Sequence, residues 1–169
     1  MNQVHPFQTN PFLRTQVNGV WTVGNHPDAR TRQALTARIR QALSSHTFLE
    51  ADYRHYHDTW AIDSNAFGVG LNHHFSPRLL AGFSYRNYGQ SAAYFYAPFY
   101  TGSPTYSTAD FRLFPFDSGL STGKLVITPA HGMFNMPAGT ALTLQYERYS
   151  ATTAFQSAIF TAGIRLPLH

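Results

Sequence analysis

The sequence has no cysteine, a single lysine, few charges of either sign and no long apolar run. Without cysteine, a disulfide framework and thiolate chemistry are both excluded. Charged residues make up only 12% of the 169, about half the share usual in a soluble domain. No stretch approaches the roughly 18 to 20 apolar residues that a membrane helix needs. The N-terminal run Met1-Asn2-Gln3-Val4-His5-Pro6 has no basic region followed by an apolar one, so it does not read as a signal peptide. If the protein is exported, the sequence is expected to have lost its leader or to be a piece of a longer chain.

Aromatic residues (15%) and Gly, Ser, Thr, Asn and Gln fill the space that charge leaves, with 43% hydrophobic residues overall. The length fits one domain. A membrane β-strand needs only about 9 to 11 residues with every second one apolar, so a barrel escapes a hydropathy test. The composition suits such a barrel or a soluble β-sandwich. The net charge is +4, but eleven of the twelve basic residues are arginines scattered singly, so no nucleic-acid partner is expected.

Residues 1 to 31 are rich in Asn, Pro, Gly and Thr and show no lasting period, apart from an Asn18-Gly19 hairpin signal. From Arg32 a period of two sets in and persists nearly to the end. The first predicted strand is 32 to 43, the second 47 to about 57, joined by Ser44-Ser45-His46. Folding this hairpin so that paired numbers sum to 90 sets Arg40 against Glu50 and Arg38 against Asp52, with Ile39 against Ala51 on the other face. Helix is the rival for 28 to 43, given its Ala, Arg, Gln and Leu; the matched charges favour strand.

Strands three (about 65 to 75) and four (79 to about 88) flank Ser76-Pro77-Arg78. A sum of 154 brings Leu71 to Phe83 and Val69 to Tyr85, and leaves Gly68 opposite the long side chain of Arg86. After an aromatic loop over 89 to 106, one long, bulged strand is expected, with two short ones as the alternative, carrying Ala109, Phe111 and Leu113 on one side and Asp110, Arg112 and Lys124 on the other. Strand six (140 to 149) alternates Leu142, Leu144 and Tyr146 with Thr143, Gln145 and Glu147. The last, about 155 to 168, alternates Ala158, Phe160, Ala162 and Ile164 with Ser157, Thr161 and Arg165.

One face is therefore apolar. The other carries Arg38, Arg40, Glu50, Asp52, Arg54, Arg86, Asp110, Arg112, Glu147 and Arg165, together with Lys124. Both signs at matching heights suit a closed interior, and the tyrosines near strand ends suit interfacial girdles. The expected fold is an antiparallel transmembrane β-barrel of about seven strands, or eight if the N-terminal segment adds one. Its polar residues line the lumen and its apolar face meets outer-membrane lipid. Short turns place 44 to 46 and 76 to 78 in the periplasm; the loops around 58 to 64, 89 to 106 and 151 to 154 then lie outside. Residues 1 to 31 become an extracellular loop segment, and 32 to 169 the barrel strands. An odd count leaves the first and last strands as edges, which another polypeptide is expected to cover.

Several strings resemble a known family in order and spacing. They are Asn10-Pro11-Phe12, Pro27-Asp28-Ala29-Arg30-Thr31-Arg32-Gln33-Ala34, and Tyr53-Arg54-His55-Tyr56-His57-Asp58-Thr59-Trp60-Ala61-Ile62-Asp63-Ser64. Tyr85-Arg86-Asn87-Tyr88-Gly89-Gln90-Ser91-Ala92-Ala93-Tyr94-Phe95-Tyr96, Ser107-Thr108-Ala109-Asp110-Phe111-Arg112-Leu113 and Tyr146-Glu147-Arg148-Tyr149 continue it. The family is an uncharacterised group of outer-membrane β-barrel proteins of Gram-negative bacteria, classed as a domain of unknown function. The resemblance implies an outer-membrane location and a chain about twice this long, of which this is the C-terminal half; it implies no catalytic residues. Thr161, Gly163, Leu166 and Leu168 resemble the C-terminal signal read by the barrel-assembly machinery, although the chain closes on His169 where that signal has an aromatic.

Among candidate sites, His55-x-His57-Asp58 has metal-ligand spacing, but its parity points to the outer rim and no metal is expected there. His73 and His74 face opposite ways. Asp110 and Glu147 read as ion-pair carboxylates rather than an acid/base pair, no phosphate loop is present, and neither cofactor nor enzyme activity is expected. The leading functional expectation is a scaffold or docking component of an outer-membrane complex. The alternative is a transport pore whose arginine-rich lumen favours anions.

Overall fold

A computed structural model describes residues 14–130, 137 and 139–167; Asn10-Pro11-Phe12, Leu168 and His169 lie outside them. The described residues form ten strands and no α-helix: β1 (Arg14–Val17), β2 (Val20–Val23), β3 (Arg32–Ala42), β4 (Thr47–Asp58), β5 (Asp63–Ser76), β6 (Leu79–Gln90), β7 (Phe99–Tyr100), β8 (Phe116–Ile127), β9 (Ala141–Ala151) and β10 (Gln156–Arg165). Within the helix rival over 28 to 43, Arg32–Ala42 is strand and none of the range is helix. The chain divides into two compact units.

The first unit comprises Met1–Leu35, His55–Asn65 and Gly89–Phe116. Its hairpin β1–β2 turns at Asn18 and Gly19, whose φ values of 51° and 80° are both left-handed. That is what a two-residue hairpin matching strand twist demands, and why Asn-Gly serves there. β7 adds parallel to β1, Gln16 beside Phe99. The Asn18 amide locks the seam, donating to the Gly102 carbonyl (2.8 Å) and accepting from its N–H (2.7 Å). A small core of Ile62, Ala93, Phe95 and Leu113 is packed by Tyr56, Trp60, Tyr96 and Tyr106.

The second unit comprises Thr36–Arg54, Ala66–Tyr88 and Asp117–His169, and most of the seven-stranded sheet lies in it. The strand order is β10-β9-β8-β6-β5-β4-β3. Leu43 N–H bonds the Thr47 carbonyl and Arg40 pairs with Glu50, both on the register summing to 90. At Gly70 an added Cβ would meet Ser84, and at Gly82 the Asn72 side chain, both on the sum of 154 that sets Leu71 opposite Phe83. In the last hairpin Phe160 faces Tyr146, Ala162 faces Leu144 and Thr161 faces Gln145, so the predicted faces hold there too. The sheet is all-β, antiparallel and open: β3 and β10 are its edges, and no closed barrel is formed by the described residues.

One predicted strand is corrected. Residues 107 to 115 do not extend β8; Phe111–Leu113 is a single 3-10 turn whose preceding Asp110 accepts a hydrogen bond from the Arg112 N–H. Pro115 follows, and with no N–H it cannot donate to a ladder and it holds its neighbour extended. The strand starts only after it, at Phe116. Asp110 and Arg112 therefore belong to a turn of the first unit and are not on the polar face of the sheet.

Candidate functional site

The polar face of the sheet is built by alternation. Even residues of β3 to β6 and odd residues of β9 and β10 share it, because successive side chains of a strand point to opposite faces. Arg40 and Glu50 meet at 2.9 Å across the first hairpin. The second expected pair is not made. Asp52 binds Arg86 instead, whose Nη2 donates to both carboxylate oxygens at 2.9 and 3.0 Å.

Gly68 explains the exchange. It lies between the two on β5, and a Cβ there would come within 2.6 Å of Asp52 Oδ1. The bare backbone lets the Arg86 side chain reach across a whole strand. Further along, the Thr122 hydroxyl approaches Glu147 at 3.5 Å, and Lys124 sits opposite Gln145. Arg165 stands opposite Ala141 at the sheet's edge. Arg38 and Arg54 are exposed, and no carboxylate among the described residues pairs with either.

This arrangement predicts that Gly68→Leu pushes the Asp52 carboxylate off Arg86. The expected loss is about 1–3 kcal/mol, the usual cost of overpacking. Gly123→Leu, where an added Cβ meets nothing within 4 Å, leaves the urea midpoint nearly unchanged. Equal shifts in the two variants would show that the pair depends on no such clearance.

The first unit holds a different constellation, centred on Asp58, which is 2% exposed. Its Oδ2 accepts from Arg30 Nε (2.8 Å), Arg30 Nη2 (2.5 Å) and the Tyr56 hydroxyl (2.6 Å). Its Oδ1 accepts from the N–H groups of Trp60 (2.9 Å) and Ile62 (3.1 Å). The Arg30 guanidinium lies 4.3 Å over the Trp60 ring, and His26 stacks on the ring at 5.8 Å. Burial pushes the Asp58 carboxyl up, but the hydrogen bonds from Tyr56, Arg30 and Ile62 outweigh it and hold the group below its ordinary value. With five donors on two oxygens, this carboxylate has no lone pair left for a proton or a metal. It organises the loops.

Two smaller centres follow the same logic. Asp110 is buried, and Arg112 donates to it from Nη2 (2.7 Å), Nε and the backbone N–H. Burial raises that carboxyl as well, and these bonds more than reverse the effect. The Tyr100 hydroxyl accepts from the N–H groups of Ala97 (2.9 Å) and Thr108 (2.8 Å) and donates to the Phe95 carbonyl. Such knots of buried polar groups bond to backbone because a loop without a ladder must satisfy its N–H and C=O groups some other way.

His55 and His57 flank the Asp63 carboxylate, at 3.7 and 3.5 Å, and His55 Nδ1 also lies 3.1 Å from Asn65 Oδ1. Among the described residues no group of three or more His, Asp or Glu side chains is placed to hold a metal. Sequence reasoning missed the roles of Arg30 and Asp58. The signal available was an arginine and a Tyr-x-Asp-x-Trp run inside two of the strings above, without a strand period to explain them.

These features define an all-β protein with an open antiparallel sheet and a loop unit held by buried ion pairs. Over residues 3–156 the chain matches the family described as "Protein of unknown function (DUF3570)", and it belongs to that family. No curated protein and no solved structure matches it.

Proposed function

We propose that this chain is a transmembrane part of a bacterial outer-membrane β-barrel, with its apolar sheet face toward lipid and its polar face toward the barrel interior. The observation that carries the reading is an inversion of burial. Along β5 the small and polar residues Ala66, Gly68, Gly70 and Asn72 are buried or half-buried, whereas Phe67, Val69, Leu71 and Phe75 are exposed. The same holds in β9, where Leu144 and Tyr146 are exposed and Thr143, Gln145 and Glu147 half-buried. Phe83 and Phe160 are 61% and 67% exposed. A soluble sheet does the opposite, hiding its apolar face against another layer. Exposed apolar surface on this scale marks a membrane or a partner, and alternation of apolar-out with polar-in is the barrel pattern.

The membrane-spanning segments are then the strand portions of the second unit, and the loops around 58 to 64 and 89 to 106 are extracellular. The exposed Trp21, Tyr94, Phe99 and Phe111 of the first unit are of the residue types enriched at protein interfaces. The role that follows is a non-catalytic scaffold or docking component at the cell surface. A transport pore is the second reading, favoured by the charge of the polar face within the second unit: six cations (Arg38, Arg40, Arg54, Arg86, Lys124, Arg165) stand against three carboxylates (Glu50, Asp52, Glu147). Such an interior would prefer anions.

Epitope insertion tests the topology. A tag at Ser103, an exposed residue next to the left-handed Gly102, should bind antibody on intact cells. The same tag at Ser45 should bind only after the outer membrane is permeabilised. Labelling of both on intact cells, or recovery of the chain outside the outer-membrane fraction, would overturn the reading. Anion-selective conductance of the purified protein would favour pore over scaffold.

A further inference from the structure

We propose that the sheet is completed by a segment with an odd number of strands, whose two outer strands both run opposite to β3 and β10 and carry carboxylates on the polar face. The inference rests on the membrane reading above and goes beyond it in naming the partner's polarity, strand parity and charge.

Every step across the sheet reverses direction. Between β4 and β5, His74 N–H bonds the His46 carbonyl while His55 meets Asn65, so numbers rise on one strand as they fall on the other. Between β6 and β8, Thr128 N–H bonds the Arg78 carbonyl and Asn87 bonds the Ser118 carbonyl. The pairs β8–β9 and β9–β10 are antiparallel, and the hairpin contacts already described set β3–β4 and β5–β6 the same way. Six reversals leave β3 and β10 pointing in the same direction.

Among the described residues both edges are bare. Every residue of β3 is exposed, and nearly every residue of β10. In lipid an unpaired strand edge leaves N–H and C=O groups that each cost several kcal/mol, so both must be covered. Direct closure would pair β3 with β10 parallel. A second copy inserted in the same orientation offers β10 to β3, which is parallel again at both seams. An antiparallel β3–β3 seam needs a copy turned over in the membrane, with its long loops on the wrong side. Only a complement of odd strand count meets both edges antiparallel.

The edge charges add chemistry. Arg38 on β3 lost its expected carboxylate because Asp52 is held by Arg86, and Arg165 on β10 stands opposite Ala141 rather than an acid. Each edge therefore offers an arginine on the polar face that pairs with no carboxylate among the described residues. A carboxylate of the adjoining strand opposite each arginine would complete the pairs.

The chain's lack of cysteine allows a direct test. Single variants Ala37→Cys and Gln41→Cys on β3, and Ala158→Cys and Ala162→Cys on β10, all at exposed positions, are labelled in outer membranes with a short thiol-reactive photo-cross-linker, and the products are mapped by mass spectrometry. At each edge the higher-numbered cysteine should link to the lower-numbered partner residue, with an acidic residue in the partner strand at each seam. Links from β3 to β10, within one chain or between copies, would overturn the proposal, as would rising numbers at either edge. Amide exchange of the unsubstituted protein in the membrane gives a second readout that does not depend on the variants folding: β3 and β10 should be protected, and rapid exchange along either would also overturn it. Failure of the membrane reading shows separately, as absence of the chain from the outer-membrane fraction before any cross-linking.

Discussion

Asp58→Ala is expected to destabilise the first unit by about 3–5 kcal/mol, the usual cost of removing one partner of a buried ion pair. The substitution strands the Arg30 guanidinium, whose side chain is 19% exposed, and orphans the Tyr56 hydroxyl and two backbone N–H groups. Amide exchange at Ala93 and Tyr94 reports it, because those N–H groups bond the Leu113 and Trp60 carbonyls inside the same unit. Asp58→Asn should cost less, since an amide oxygen still serves some of the donors. The double variant with Arg30→Met should be less damaging than the two single costs added, because the buried cation goes with its partner. A loss below about 1 kcal/mol for Asp58→Ala would mean that the hub is no more than a surface pair. Acid should act in the same direction. A carboxyl held below its ordinary value of 3.8 contributes stability above that value and loses it as pH falls through the lower, folded one. The unit should thus stay closed at pH 5 and open progressively below about pH 3.8, and Asp58→Asn should remove that acid step while leaving the contribution of Asp110.

Why the sheet was legible and the hub was not follows from how far each interaction reaches along the chain. A hairpin pairs residues whose separation is short and whose numbers share one sum, so Arg40 and Glu50 could be matched by counting from a single turn. Asp52 could be read for its face but not for its partner. The arginine it binds is two strands away, and the contact exists because Gly68 has no side chain in between. The clearance beside Arg86 was readable in the sequence; where its guanidinium goes was not. Asp110 and Arg112 show the opposite failure. Their spacing of two mimics a strand face, but a carboxylate that caps its own turn uses the same spacing, and Pro115 was the residue that separates the two cases. Asp58 draws its donors from 28 residues upstream and from a loop. No period runs through those segments, and only their place in the strings that resemble the family hinted that they matter.

The open sheet and the bare edges also bear on how the chain is tested. Any measurement that treats it as a soluble two-layer domain meets an apolar face that none of the described residues covers. Val69→Arg turns this into a decisive comparison. Val69 lies near the middle of β5, on the exposed apolar face with Phe67 and Leu71. If that face meets lipid, an arginine there sits near the bilayer midplane and should cost about 2–4 kcal/mol. If the face meets water, an exposed valine replaced by arginine changes stability by no more than about 0.5 kcal/mol. Depth gives the control. Phe75 shares the face but lies next to the Ser76-Pro77 turn, where an arginine can reach the interface, and Phe75→Arg should cost only about 0–1 kcal/mol. Urea midpoints of the protein folded in lipid vesicles measure all three forms. The expected order is a large loss at Val69 and a small one at Phe75. A flat response would place the sheet in water, because only a hydrocarbon layer makes the cost of one charge depend on its distance from the strand end.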